Sequence, residues 1–336
     1  MITVVIVTHN RAAILSHCLN SLAVHATRCE GWRVLVVDNA SSDGTASLVD
    51  GFRQRCRNFD YVREARLGAS CARNRGTAET STPYVLFVDD ECTFPPGYLD
   101  VACELIEQRQ PACFGGPIGP WFLPAPPRPG WYKDEYGSFS LPRNNPPDGP
   151  PRLSAGNLGA SRAALQEVGG FDEGLGPVGG RMSYGEENAL VSVMWDKFGP
   201  ERVLYEPRLK CLHLVRPEKF AWRQIMAENL RRGLARGRLS AAGLGEQQRL
   251  RVVEPAVAVD AAPAHQSAGS RAGGALLDLA MDVTLLRLLT EPGNYRCWQQ
   301  VVYERWMGYV RWLGLCTGLL IGRSVGRLRK TGDMSD

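Results

Sequence analysis

Apolar positions in the first ninety residues come in short runs, each closed by a polar cluster. Residues 2–7 are apolar and mostly β-branched, and Thr8-His9-Asn10-Arg11 follows at once. Residues 12–23 then place Ile14, Cys18, Leu19 and Leu22 on one helical face. A second run over 32–37 ends at Asp38, and the turn cluster Asn39-Ala40-Ser41-Ser42-Asp43-Gly44-Thr45 leads into a helix over 46–55. A short strand is expected at 61–63 and a helix over 70–80. A third apolar run, 84–88, stops at Asp89-Asp90-Glu91. Strand, helix, strand, helix, strand predicts βαβ units and a parallel sheet.

The pattern changes after residue 90. A helix is expected over 98–108 and a strand over 113–118. Residues 120–152 are crowded with Pro, Gly and aromatics, and Pro124-Ala125-Pro126-Pro127 excludes a central strand or helix. Order resumes over 153–161, with a short helix over 162–168. A stronger helix over 186–198 sets Leu190, Val191, Met194, Trp195 and Phe198 at helical spacing. Strands are expected at 203–205 and 209–215. Beyond 216 the reading is a helix over 217–240, a flexible Ala/Gly/Pro/Gln linker over 241–274 and a helical region over 275–330. The apolar stretch 306–321 contains Arg311 and is shorter than the roughly 20 residues of a membrane span. It reads as a helix buried on the main domain, as a dimer contact, or as a peripheral helix on anionic lipid.

Composition narrows the classes. A formal charge of +4 over 336 residues, without a dominant Lys/Arg block, speaks against a nucleic-acid binder. Ten cysteines contain no CxxC pair, which speaks against a zinc ribbon or a thioredoxin-like motif. The first residues lack a basic region and a cleavage site. The expectation is a cytoplasmic protein with reduced thiols.

Candidate chemistry sits at the ends of the first strands. In an open parallel sheet, Thr8 to Arg11, Asp38 to Thr45 and Asp89 to Glu91 face one crevice. Three consecutive carboxylates repel one another unless a cation sits among them, and oxygen ligands suit Mg²⁺ or Mn²⁺. The plainer alternative is a solvated acidic turn. Asn10 and Ser41 read equally as turn residues, Arg73 as a surface helix charge and His213 as a core histidine.

Taken in order, four motifs resemble the family 2 glycosyltransferases. They are Ile6-Val7-Thr8-His9-Asn10-Arg11, the run Val37 to Thr45, Gly68-Ala69-Ser70-Cys71-Ala72-Arg73-Asn74, and Phe87-Val88-Asp89-Asp90-Glu91. Gly156-Asn157-Leu158-Gly159, Gly169-Gly170-Phe171-Asp172-Glu173 and Gly185-Glu186-Glu187 resemble that family's acceptor-side motifs. The resemblance covers residues 2 to about 216. It implies an inverting enzyme with the GT-A fold: a Rossmann-like, mostly parallel central sheet flanked by helices, here with a C-terminal helical extension. It divides residues 1–216 into a donor half, 1–118, and an acceptor and catalytic half, 119–216.

The resemblance also implies roles. Thr8, Asn10, Arg11, Asp38, Arg73, Asp89 and Asp90 would contact a nucleotide-sugar donor, with Asp38 placed for a uracil ring. Glu91, Asp90 and His213 would serve a Mn²⁺ or Mg²⁺ ion, either Asp90 or Glu91 being the direct ligand. Glu187, with Glu186 as the alternative, would be the general base that takes the acceptor's hydroxyl proton. Asn157, Asp172 and Trp131 would lie on the acceptor side, with Asp172 also a candidate turn cap and Trp131 more readily used in packing the Pro-rich loop. The acceptor would be a carbohydrate, a lipid-linked sugar or a small molecule. A nucleotidyltransferase shares the sheet and the metal but is expected to carry a Gly-rich triphosphate loop, which Thr8-His9-Asn10-Arg11-Ala12-Ala13 lacks. A non-catalytic scaffold docking on membranes through 275–330 leaves the acidic pair at 186 and 187 without a purpose.

Overall fold

The computed structural model describes residues 1–24, 29–177 and 185–221, together with helical residues at 225–227, 229–230, 233–234, 310–313 and 315–317. Its first half alternates strands and helices: β1 (Ile2–Thr8), α1 (Ala12–Ala23), β2 (Arg33–Asp38), α2 (Thr45–Arg55), β3 (Phe59–Arg63), α3 (Ala69–Glu79) and β4 (Tyr84–Asp89). There follow β5 (Cys92–Thr93), α4 (Tyr98–Arg109), β6 (Cys113–Gly115), β7 (Ile118–Trp121), β8 (Asn157–Ser161), α5 (Arg162–Val168), α6 (Glu186–Phe198), β9 (Val203–Tyr205) and β10 (Cys211–Leu214).

Seven strands form the main sheet in the order β3-β2-β1-β4-β8-β6-β9. Six run the same way, and β8 alone is antiparallel to its neighbours β4 and β6. The sheet is therefore mixed but largely parallel, as expected. Side-chain alternation along β1 explains the two layers. Ile2, Val4 and Ile6 pack in one cluster with Leu15, Leu19 and Leu22 of α1, Val49 and Phe52 of α2 and Leu99 of α4. Val5 joins Val37, Phe87, Phe171, Leu190 and Met194 on the opposite face. Each fully buried aliphatic chain contributes roughly 1.5–3 kcal/mol, so a one-residue slip of β1 would be costly. Gly76 lets α3 lie close on the sheet, since a Cβ there would sit 2.5 Å from a Val5 methyl. That contact fixes the turn of α3 bearing Arg73.

The single strand expected over 113–118 is two. β6 belongs to the main sheet, whereas β7 joins β5 and β10 in a small second sheet. Pro117, which has no N–H to donate, lies at the break. This second sheet pairs His213 of β10 with Cys92 of β5.

Two further expectations change. Residues 217–240 do not begin as an α-helix: Pro217–Phe220 is a 3₁₀ turn, and the first described α-helical residue after it is 225. The thiols are not all reduced, because Cys29 and Cys103 are joined in a disulfide, with Cα atoms 6.0 Å apart. Arg311, expected within a short apolar helix, is helical and bonds through its guanidinium to Asn229 Oδ1. The linker over 241–274 and, apart from 310–313 and 315–317, the helical region expected over 275–330 lie outside the described residues. Among the described residues no helix is long and apolar enough to cross a membrane.

Candidate active site

Register brings the functional strand ends into one row. Thr8 of β1 is level with Asp38 of β2, Asp38 with Arg63 of β3, and Val7 with Asp89 of β4. Chain order reverses across β1 and β4, and crevices at such switch points hold ligands in open α/β sheets.

Asp38 anchors one end of the row. It is 1% exposed; its Oδ1 accepts from the Ser41 N–H at 2.8 Å, and its Oδ2 from Tyr61 Oη at 2.7 Å and Arg63 Nη1 at 3.4 Å. Arg63 also donates to the Ser41 carbonyl. Asn10 lies in the left-handed region at φ 53°, donates its N–H to Ser41 Oγ and accepts from the Ser42 N–H, so it clamps the two turns together. Tyr61 and Arg63 were missed in the sequence, where they read only as a short strand.

The acid cluster splits by alternation. Asp90 turns towards β1, where Oδ2 accepts from Thr8 Oγ1 at 2.8 Å and Oδ1 from Arg11 Nη1 at 3.1 Å. Burial pushes its carboxyl up to about 6, against the pull of Arg11. Asp89 and Glu91 turn the other way. Asp89 faces Arg73 at 3.5 Å and His213 Nε2 at 3.7 Å, and Glu91 Oε1 lies 3.1 Å from the same His213 nitrogen. Gly156 makes room for Asp89, whose Oδ2 would be 2.6 Å from a Cβ there. For Glu91, burial alone would raise the carboxyl. The His213 hydrogen bond and charge, then Arg216 and Arg11, outweigh it and bring the value down to about 2.

Arg216 was also missed; its Nε lies 3.0 Å from Glu91 Oε2. That ion pair is misaligned as a hydrogen bond, leaving Glu91 Oε2 and Arg216 Nε both buried without a hydrogen-bond partner. Glu91 Oε1 and Asp89 Oδ2 both lie within 4 Å of His213 Nε2, oxygen and nitrogen donors of the kind a divalent cation takes. Among the described residues no group of three such side chains forms a ready-made cage; protein cations hold the carboxylates instead. His213 reaches this place because β10 pairs with β5, its ring nitrogen aimed at the acids rather than into the core. Asp90 is bonded to Thr8 and to Arg11, whose Nη1 also lies 3.9 Å from Glu91 Oε1.

The second acidic pair begins α6. Glu186 is buried, with Oε1 accepting from Arg73 Nη1 at 3.0 Å. Arg73, 6% exposed and lying over the Phe171 ring, thus spans from Asp89 to Glu186. Glu187 is half-buried. Burial first, and the neighbouring Glu186 charge second, push its carboxyl up to about 8.

Of the three residues expected on the acceptor side, Asn157 is placed differently, while Asp172 and Trp131 take the alternatives also expected for them. Asn157 is fully buried; its Nδ2 donates to the Leu209 and Pro117 carbonyls and its Oδ1 accepts from Tyr98 Oη. It ties the sheet to α4 and the loops and presents nothing to a ligand. Asp172 is exposed and caps its own turn through the Gly174 N–H. Trp131 packs edge-on against Tyr132, whose ring meets Phe122 and Phe220, so it belongs to the aromatic packing of the Pro-rich loop.

Known proteins can be set beside this geometry. The sequence model described as "Glycosyl transferase family 2" matches residues 3–169. Validoxylamine A glucosyltransferase of Streptomyces hygroscopicus subsp. jinggangensis is 37% identical over 101 residues, 30% of this chain and 24% of that protein. Glycosyltransferase AglE of Haloferax volcanii is 26% identical over 140 residues, 41% of this chain and 45% of that protein. The chain thus spans less than half the length of these curated relatives. Among solved structures, the mannosyltransferase PcManGT from Pyrobaculum calidifontis, in complex with GDP-Man and Mn²⁺, has a TM-score of 0.64 at 16% identity, covering 95% of this chain and 86% of that one. GalNAc-T7 with UDP, GalNAc and Mn²⁺ has a TM-score of 0.51 at 16% identity, covering 72% and 51%. With the sheet order, the strand-end row and these matches together, the chain belongs to glycosyl transferase family 2 and has a GT-A-like fold.

Proposed function

We propose that the chain transfers a sugar from a nucleotide-sugar donor, UDP-linked, to an acceptor hydroxyl with inversion, Glu187 acting as general base. One observation carries this reading: Arg73 joins Asp89 to Glu186, so the donor crevice and the acid pair of α6 lie within one side chain's reach.

The residues divide the work. Asp38, held by Ser41, Tyr61 and Arg63, lines the end of the row where the uracil N–H would bind. Asp90 is reserved by Thr8 and Arg11, leaving the Arg11 guanidinium, over a third exposed, at the crevice for a diphosphate oxygen. Asp89, Glu91 and His213 would hold Mn²⁺ or Mg²⁺, which offsets diphosphate charge and stabilises the leaving group. Two relatives of the fold were solved with Mn²⁺. Glu187 is suited to proton transfer because its carboxyl is raised towards neutral pH. Taking the hydroxyl proton as the acceptor attacks the anomeric carbon, it supports a single displacement opposite the nucleotide. The C-terminal region, residues 275–330, is proposed to sit near a membrane or a second copy, where the acceptor would be presented.

A panel of nucleotide sugars incubated with Mn²⁺ and candidate acceptors, followed by nucleoside-diphosphate release, tests the reading. The expected result is release with UDP-sugars that Glu187→Gln abolishes. Release that survives both Glu187→Gln and metal removal would overturn it.

A further inference from the structure

The acid pair of α6 is not symmetrical, and the asymmetry has a structural cause in α3. Arg73 is buried, stacks over Phe171 and reaches two carboxylates on separate elements: Glu186 at 3.0 Å and Asp89 at 3.5 Å. Gly176, at φ +90°, closes over Glu186, where a Cβ would lie 3.1 Å from the carboxyl carbon and 3.0 Å from Ser70 Oγ. Glu186 is thus fixed by packing and by a guanidinium, which occupies its Oε1.

We infer that Arg73 is a positioning residue that commits Glu186 to a structural ion pair, leaves Glu187 as the sole base, and ties the start of α6 to the carboxylate Asp89. The inference rests on the proposed transferase reading and deepens it. Glu186 acts on its neighbour through charge: its carboxylate discourages a second negative charge one residue on, and Arg73 partly offsets that. Among the described residues these are the charged groups that act on Glu187. The nearby helix α5 brings Glu167, which pairs with Lys197 near the far end of α6, and β9 contributes Tyr205, bonded to the Ser140 carbonyl.

Opposite signs test this. The pH dependence of kcat/KM is measured for the full chain and for Glu186→Gln, Arg73→Met and Arg73→Lys, with nucleoside-diphosphate affinity titrated alongside. Glu186→Gln is expected to move the acid limb down by about one unit, and Arg73→Met to move it up by a similar amount. Arg73→Lys keeps the charge but not the fork, and is expected to hold the limb nearer the parent's while kcat falls about tenfold. A purely structural Arg73 would lower activity at every pH and leave the limb in place. If Arg73→Met does not fold, Glu186→Gln alone decides. A limb that stays put in Glu186→Gln, or moves the same way in both variants, overturns the inference. Its failure is distinct from that of the parent reading, which fails if Glu187→Gln retains full turnover.

Discussion

Two clusters of carboxylates each hold a glutamate, and those two glutamates, Glu91 and Glu187, are shifted in opposite directions. Asp89, Asp90 and Glu91 end a strand and are enclosed by Arg11, Arg73, His213 and Arg216. Glu186 and Glu187 open a helix and, among the described residues, share Arg73 alone. Glu91 is brought down to about 2, while Glu187 is pushed up to about 8. Environments that separate like groups in this way mark the acid and base assignments of a site. In the first cluster Glu91 stays charged at neutral pH, which suits a cation and a diphosphate. The second holds a group that can take and return a proton.

The sharpest break of this contrast is at the first cluster. Asp89→Asn and Glu91→Gln are each expected to reduce metal-supported turnover by about a thousandfold or more. Calorimetric titration should show Mn²⁺ and nucleoside diphosphate no longer strengthening each other's binding. Asp90→Asn, on the far side of the alternation, is expected to lose less of that coupling.

Next in size is a stability difference with opposite signs at the two clusters. Glu187 has a raised folded value, so its ionisation costs stability as pH rises from about 4.5 to about 8. Glu187→Gln should therefore melt higher than the parent at pH 8, by on the order of 1–3 kcal/mol, with the gain gone near pH 4.5. Glu91 is lowered, so its contribution is present above about 4.5 and lost as pH falls towards about 2. Glu91→Gln should melt lower than the parent at pH 7, with the gap closing in acid. Thermal melts across pH check both signs.

Two smaller effects sharpen the boundary of the site. Asn157→Ala should cost about 1–3 kcal/mol of stability, because it leaves two buried carbonyls and the Tyr98 hydroxyl short of partners. In the folded fraction, the donor KM should be nearly unchanged. Arg63→Ala should weaken nucleoside-diphosphate binding about three- to tenfold by loosening Asp38, read by titration calorimetry.

Much of the first half of the fold was legible in the sequence because apolar runs of strand length end in polar clusters there. Thr8, Asp38 and Asp89 follow directly from those ends. Arg63 and Tyr61 did not, since their meaning depends on β3 lying level with Asp38 across β2. Arg216 depends on β10 being brought to β5 by a second sheet that no local pattern announces. The run over 113–118 looked continuous because apolar content does not show that its two halves pair in different sheets. Asn157 was misread for a related reason: a polar residue among glycines looks accessible until the carbonyls that satisfy it are brought alongside.

The division of labour between the clusters is tested most directly by single-turnover transfer from UDP-sugar by the Glu187→Gln protein, with UDP and Mn²⁺ affinities measured on the same sample. The expected result is a rate lower by about a hundred- to ten-thousandfold with both affinities unchanged. A rate within a fewfold of the parent's, or a loss explained by weaker UDP or Mn²⁺ binding, would contradict the assignment of Glu187 as the base.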